Sequence, residues 1–265
     1  VARGSAALGR VAAPAFRQAA AVTACSPELE QGALALDADP RRLRLIPWGA
    51  DPAVFQQGAE MRQAARSALG LTPDQFAVLS LGRLVQKKGI AYLVQAMAAV
   101  AAAAPGSVCL VAGDGPELPA LRAQAAALGL EERVRFLGSV PWVDAPKLLA
   151  ACDVFAVPSI HDENGNVDGL PTTILEAMAA GRPVVATQVA GIELAVEHGV
   201  HGLLAPEKSP DALAHALLLL YTQPRLRQQL GANAGQRVRD ELNWHNVARQ
   251  FVAIYEQVLA GHAQP

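Results

Sequence analysis

Between residues 77 and 205, short apolar runs alternate with stretches of helical periodicity. The runs are Ala77–Leu81, Val108–Ala112, Val134–Leu137, Val154–Val157, Val184–Ala186 and a weaker Leu203–Ala205. Each is β-branched or leucine-rich and bounded by Gly, Pro, Asp or Ser, which predicts strands. Helical patterns fall between them at 89–103, 116–128, 143–151, 171–180 and 191–198. A strand that is apolar throughout needs cover on both faces, and a helix after each strand supplies it. Right-handed crossovers then predict an α/β fold with an open, doubly wound parallel sheet of the Rossmann type.

Composition narrows the function classes. The chain has 265 residues, 52% of them hydrophobic and 17% charged, enough for one large domain or one domain and a fraction of another. Intrinsic disorder is excluded by that apolar content with a net charge of −2. With 22 basic residues against 24 acidic ones, no nucleic-acid partner held by bulk positive charge is expected. Cys25, Cys109 and Cys152 lack metal-site or Cys-x-x-Cys spacing, which fits a reducing, cytoplasmic setting. No apolar run approaches the ~18 residues of a membrane span.

Two flanks lie outside the main alternation. Residues 6–46 read as helix, strand (Ala21–Ala24), helix and strand (Leu43–Ile46), with Ser26-Pro27 as a helix start. Pro47-Trp48-Gly49-Ala50-Asp51-Pro52 reads as a turn or linker. Beyond the sheet, Ser209-Pro210 opens a helix to about Tyr221, and Pro224 opens another to about Asp240. A last helix, Trp244 to about Leu259, carries Trp244, Val247, Phe251, Ile254, Tyr255 and Val258 in one stripe that must pack on something.

Three strand-to-helix loops carry candidate chemistry. Gly82-Arg83-Leu84-Val85-Gln86-Lys87-Lys88-Gly89 holds two cations framed by glycines at the carboxyl end of a strand, where ligands bind in open parallel sheets. Arg83 can fork two oxygens and Lys88 can act as a point charge, which suits a diphosphate; a solvated basic turn is the alternative. Ala112-Gly113-Asp114-Gly115-Pro116-Glu117 lacks the third glycine of a dinucleotide fingerprint, so it is either a tight turn or one wall of a nucleotide cleft. In the third, Asp168-Gly169-Leu170-Pro171 precedes a helix containing Glu176. The Gly169 and Leu170 amides at that helix start form a candidate anion site, and the Glu176 carboxylate could accept from two adjacent hydroxyls. Asp168 as a helix cap and Glu176 as an exposed residue are the alternatives.

The loop before Asp168 tests a metal reading. Asn164-x-Asn166-x-Asp168-Gly169 matches the first half of a calcium loop, but its twelfth position is Leu175 and Pro171 breaks the register, so no metal is expected. His161 is read as a polar loop residue, with a ligand-facing role as the alternative. Neither His-Glu-x-x-His nor Gly-x-Ser-x-Gly occurs, which leaves zincin and serine-hydrolase chemistry without support.

Further elements accompany these loops. They are Ile46-Pro47-Trp48-Gly49-Ala50-Asp51 with Phe55, Val134-Arg135-Phe136-Leu137-Gly138, and Glu176-Ala177-Met178-Ala179 followed by Gly181-Arg182-Pro183-Val184-Val185. In this set and order, the chain resembles the retaining glycosyltransferases of family 4, which have the two-domain GT-B architecture. The resemblance covers roughly residues 40–260 and falls on the carboxyl-terminal, nucleotide-sugar-binding half. The Asp-Gly-Leu-Pro block after an Asn/Asp/Gly-rich loop also resembles the colanic-acid and exopolysaccharide members.

The resemblance implies roles at matching positions. The substrate would be a nucleoside-diphosphate sugar, with no cofactor and no metal. Arg83 and Lys88 would neutralise the departing diphosphate, and Asp168 would face the transferred sugar. Gly82, Gly113 and the Gly169-Leu170-Pro171 turn would line the donor, Glu176 would hold the ribose, and the backbone of Gly138-Ser139-Val140 would read the base. The acceptor would be a glycan or a lipid-linked molecule, at the cytoplasmic face of a membrane. Position 168 departs from the family's usual Glu, and Asp is shorter by about 1.5 Å. A closer loop or an altered sugar contact is expected, and an Asp168→Glu variant with unchanged donor affinity and sugar preference would refute this.

The resemblance also implies a division of the chain. Residues 1–46 would be the end of an amino-terminal acceptor domain, 47–240 the donor-binding domain, and 241–265 a helix returning toward the first. A chain with only the donor half is expected to transfer sugar poorly alone; glycosylated product from the isolated chain would refute that. A non-catalytic nucleotide-sugar-binding module is the competing reading. A nucleotide-sugar epimerase or dehydrogenase is disfavoured, since Gly-x-Gly-x-x-Gly and Tyr-x-x-x-Lys are both missing.

Overall fold

The structure, a computed structural model, describes residues 6–56 and 58–262. Its first third holds α1 (Ala6–Gln18), β1 (Val22–Ala24), α2 (Pro27–Leu34), β2 (Leu43–Leu45), α3 (Pro52–Phe55) and α4 (Ala59–Ala68). The middle holds β3 (Phe76–Leu81), α5 (Ile90–Ala103), β4 (Ser107–Ala112), α6 (Leu118–Ala127), β5 (Val134–Gly138), α7 (Ala145–Ala151) and β6 (Val154–Val157). The remainder holds α8 (Thr172–Ala179), β7 (Val184–Thr187), α9 (Ile192–Ala195), β8 (Gly202–Ala205), α10 (Pro210–Thr222), α11 (Pro224–Asp240) and α12 (Trp244–His262). None of the described helices is long and apolar enough to cross a membrane.

All six apolar runs become strands of one parallel sheet, ordered β5-β4-β3-β6-β7-β8. The chain builds outward from β3 in one direction, then returns to β6 on the other side of β3 and builds outward again. A crevice therefore opens between the carboxyl ends of β3 and β6, where the loops diverge to opposite faces.

Strand alternation sorts the core into two layers. Ala77 and Leu79 of β3 face a layer with Phe155, Ile174, Leu175 and Met178. Phe76 and Val78 face the other, with Leu93, Met97, Leu213 and Leu217. Side chains as buried as Leu79, Phe155 and Met97 each contribute about 1.5–3 kcal/mol.

The observed ends differ modestly from the predicted ones. Helix α9 stops at Ala195 because Val196 is extended and His198 pairs with Gly202, which ends the helix short of 198. The predicted linker at 47–52 ends as a helix start: Asp51 accepts from the Ala53 amide at 2.9 Å and Pro52 opens α3.

Helix α4 has no counterpart in the sequence reading, because what it buries is an arginine and not an apolar stripe. Arg66 is 5% exposed. It donates to the carbonyls of Ala151, Thr72 and Gln75 at 2.9, 2.7 and 2.6 Å and pairs with Asp153 at 3.3 Å. Arg62, one turn earlier, reaches the other Asp153 oxygen at 2.6 Å and the Cys152 carbonyl at 2.7 Å. Asp153 also accepts from the Ala77 amide at 2.8 Å. This network locks α4 to the end of α7 and to the start of β3.

Residues 22–45 hold a separate two-stranded parallel sheet, β1 on β2, with its own small core of Ala33, Ala38 and Leu43. Ser26 caps α2 by accepting from the Leu29 amide, as its Ser-Pro pair predicts. The stripe of α12 packs only in part. Val247 is 2% exposed and Trp244 lies 6.2 Å from Trp48, ring centre to ring centre, whereas Tyr255 is 60% exposed.

Candidate functional site

The crevice between β3 and β6 is lined by Gly82, Arg83, Lys88, Pro158 and Thr173. Two interlocked loops shape it. The Gly82 and Leu84 amides donate to the Ala112 and Asp114 carbonyls at 2.9 and 2.8 Å, and the Glu117 amide returns to the Leu84 carbonyl at 3.0 Å. Gly113, at φ 143°, donates to the Gly138 carbonyl at 2.7 Å. Any Cβ on Gly113 would collide with the Gly82 carbonyl. The Gly113-Asp114-Gly115-Pro116 motif thus clamps the Arg83 loop through backbone contacts, and it brings Gly138 to the same edge. Ser139 is exposed beside it, and Val140 packs partly on the core.

The basic loop splits into two kinds of cation. Arg83 is exposed at the mouth and makes no ion pair among the described residues. Lys88 and Lys87 both reach Asp168: Lys88 Nζ lies 2.7 Å from Oδ2, and Lys87 Nζ lies 3.0 Å from Oδ1. Gly89, at φ 65°, follows directly, and any Cβ there would strike the Pro158 carbonyl, so the Lys88 turn packs tightly over β6. Burial opposes ionisation of Asp168, but the charge of Lys88 and hydrogen bonds from both lysines outweigh it and hold the carboxyl below the usual range.

This arrangement corrects one alternative and modifies another. Asp168 caps no helix: the residue before α8 is Pro171, with no side-chain cap. Of the two amides expected to be free ahead of α8, that of Leu170 is engaged. Leu170 donates its N–H to the buried Cys25 thiol, whose pKa burial nevertheless raises. The Gly169 carbonyl accepts from Gly191 at 2.6 Å. The Gly169-Leu170-Pro171 turn is therefore held against the start of α2, so that residues near Cys25 form one wall of the site.

Glu176 projects from α8 one turn after Thr173, on the face that borders the crevice. It is not simply exposed. Its Oε1 accepts from the Trp142 indole N–H at 3.3 Å, and its Oε2 is buried with no hydrogen-bond partner. Burial raises its pKa, against the opposing effect of the Trp142 hydrogen bond. An oriented carboxylate with one unpartnered oxygen has acceptor capacity left for a ligand hydroxyl.

His161 proves to be tied down. Its amide and Nδ1 meet Glu207 at 2.8 and 3.2 Å. In the preceding loop candidate for calcium, Asp162 instead accepts from the Asn164 and Asn166 amides at 2.9 and 2.8 Å, a self-contained turn. A groove of about 860 Å³ continues from Arg83, Lys87 and His161 to Phe16, Leu29 and Leu36 of the amino-terminal segment. The structure thus gathers Arg83, Lys88, Asp168, Glu176 and the glycine turns at one sheet edge. It adds Lys87, Trp142 and Cys25, which sequence reasoning missed. Lys87 was legible as a neighbour of Lys88, whereas nothing in the local pattern links Trp142 to Glu176 or Cys25 to Leu170.

Comparisons with known proteins place the chain in a family. Residues 61–237 match the family described as glycosyl transferases group 1. The D-inositol 3-phosphate glycosyltransferase of Corynebacterium glutamicum is 32% identical over 84% of this chain and 54% of its own length. The amylovoran biosynthesis glycosyltransferase AmsK of Erwinia amylovora is 30% identical over 72% of this chain and 50% of its own. The chain spans about half the length of these curated relatives. Among solved structures, Anabaena HepE in complex with UDP superimposes with a TM-score of 0.87 at 27% identity, covering 96% of this chain and 69% of that one; HepE has also been solved with UDP-glucose. The six-stranded parallel sheet and its flanking helices share the fold of GT-B glycosyltransferases, and with about two thirds of its residues matching one family, this chain belongs to the glycosyl transferases group 1.

Proposed function

We propose that this chain is the donor-binding part of a retaining family 4 glycosyltransferase that moves a sugar from a UDP-sugar to a glycan or lipid-linked acceptor in polysaccharide assembly. The observation that carries the reading is an exposed Arg83, without an ion pair among the described residues, at a crevice that Thr173 of α8 also lines, with the half-partnered carboxylate of Glu176 one turn further along that helix. UDP and UDP-glucose in HepE support the donor class, and the name of the Erwinia relative supports the polysaccharide role.

Mechanistically, the bond from the sugar's anomeric carbon to the β-phosphate oxygen breaks and leaves its electron pair on the diphosphate, while the acceptor hydroxyl oxygen bonds to that carbon and passes its proton to the departing phosphate oxygen. Arg83 forks that charge, and Lys88 is drawn partly off Asp168 toward it. Lys87 stays on Asp168, so the carboxylate remains paired while it faces the sugar. The proposal assigns the leaving charge to these cations and not to a metal ion.

Calorimetric titration with UDP, GDP and ADP tests the reading. UDP is expected to bind the wild type, and Glu176→Ala is expected to weaken it about tenfold, the size of a lost charged hydrogen bond. Because burial raises the Glu176 pKa above the ordinary 4.5, affinity should begin to fall on acidification at a higher pH than an exposed carboxylate would give. Failure of the wild type to bind any of the three would overturn the assignment.

A further inference from the structure

Trp142 stands in the short turn Trp142–Asp144 between β5 and α7 and is 60% exposed. It is nonetheless anchored. Phe55, itself 2% exposed, meets the indole edge-on, with ring centres 5.9 Å apart and planes at 84°. Phe55 closes α3, whose start is pinned by Asp51. The anchored ring aims its one N–H at Glu176 Oε1, 3.3 Å away.

The consequence falls on the carboxylate. The last torsion of a glutamate is broad and roughly two-fold, so an unrestrained Glu176 would sample orientations freely. The indole N–H restrains it by engaging Oε1, which leaves Oε2 buried and unpartnered. A buried acceptor without a partner is costly unless something fills it. Thr173, one turn earlier on the same helix face, lines the crevice with Arg83 and Lys88. Glu176 therefore follows a crevice-lining residue by three positions, about 4.5 Å of rise, which is the order of the distance from a ribose hydroxyl to a phosphate.

We propose that Trp142 is a positioning residue for ribose recognition: by fixing Glu176 it makes the site discriminate a ribonucleotide donor from its 2′-deoxy counterpart. The proposal rests on the reading of Glu176 as the ribose-binding carboxylate. Trp142 acts through Glu176 and has no part in the sugar-transfer step.

Calorimetry with UDP, 2′-deoxy-UDP and inorganic pyrophosphate on the wild type, Trp142→Phe, Glu176→Gln and the double variant tests it. Phenylalanine keeps an aromatic ring against Phe55 and removes the N–H. The wild type is expected to prefer UDP to 2′-deoxy-UDP by about tenfold, and Trp142→Phe to cut that preference to about twofold. Pyrophosphate, which has no ribose, should bind both proteins alike, and Trp142→Phe should change nothing further once Glu176 is Gln. Full ribose preference in Trp142→Phe, or an equal loss on all three ligands, would overturn the positioning role while leaving the Glu176 reading intact. Full ribose preference in Glu176→Gln, or no nucleotide binding by the wild type, would remove the Glu176 reading and this proposal with it.

Discussion

Replacing Asp153 with alanine is expected to cost about 3–5 kcal/mol of stability, the range for removing one partner of a buried ion pair. Arg66 is the reason. It is 5% exposed and cannot turn to water when its carboxylate is gone. Burial, together with repulsion from Arg62 and Arg66, already holds the neighbouring Arg182 guanidinium below its ordinary pKa. Asp153 is the anion that this group of guanidiniums shares, and the Ala77 amide at the start of β3 loses its acceptor as well. In a domain of this size the loss should lower the melting temperature by about 10 °C, read by calorimetry or circular dichroism. A drop of only a degree or two would show that Arg66 is satisfied by its backbone carbonyls alone. Nothing in the network touches the crevice lining, so a surviving Asp153→Ala fold should keep its nucleotide affinity.

Arg83→Ala should show the reverse pattern. Two charge-assisted bonds from one guanidinium to a diphosphate come to about 3 kcal/mol, so UDP affinity should fall about 100-fold. Stability should not change, because Arg83 is exposed and makes no ion pair among the described residues. Arg83→Lys should recover little, since an ammonium cannot fork two oxygens. Uridine, which has no phosphates, serves as the control ligand and should bind wild type and variant alike. An Arg83→Ala protein that binds UDP within about twofold of wild type would move the diphosphate elsewhere, given what two lost charged bonds must cost. Lys88 is the less clean probe. Its removal also strips Asp168 of a partner, so affinity and local structure would change together.

Much of the fold was legible because of how strands advertise themselves. A strand covered on both faces has to be apolar at every position, and Val108–Ala112 or Val154–Val157 cannot be confused with surface chain. The loops after such strands fall at one edge by topology, which is why Arg83, Lys88, Asp168 and Glu176 could be nominated together. Helix α4 escaped because its buried residues are Ala65 and Arg66, and an arginine in a pattern reads as solvent-facing. Its burial depends on carbonyls contributed by residues 72, 75 and 151, at separations that local periodicity does not register.

The sequence by itself determined the parallel sheet, the edge at which chemistry collects and the residue types gathered there, because periodicity and strand-to-helix punctuation are local properties. Only the tertiary structure decided which of those residues are free to act. Lys88 and Arg83 sit in one loop, yet one is paired with Asp168 and the other is not. Glu176 looks like any helix-surface carboxylate until Trp142, 34 residues earlier, fixes one of its oxygens and leaves the other buried without a partner. Partnership depends on distances between segments far apart in the chain, and those are set by packing of the whole core.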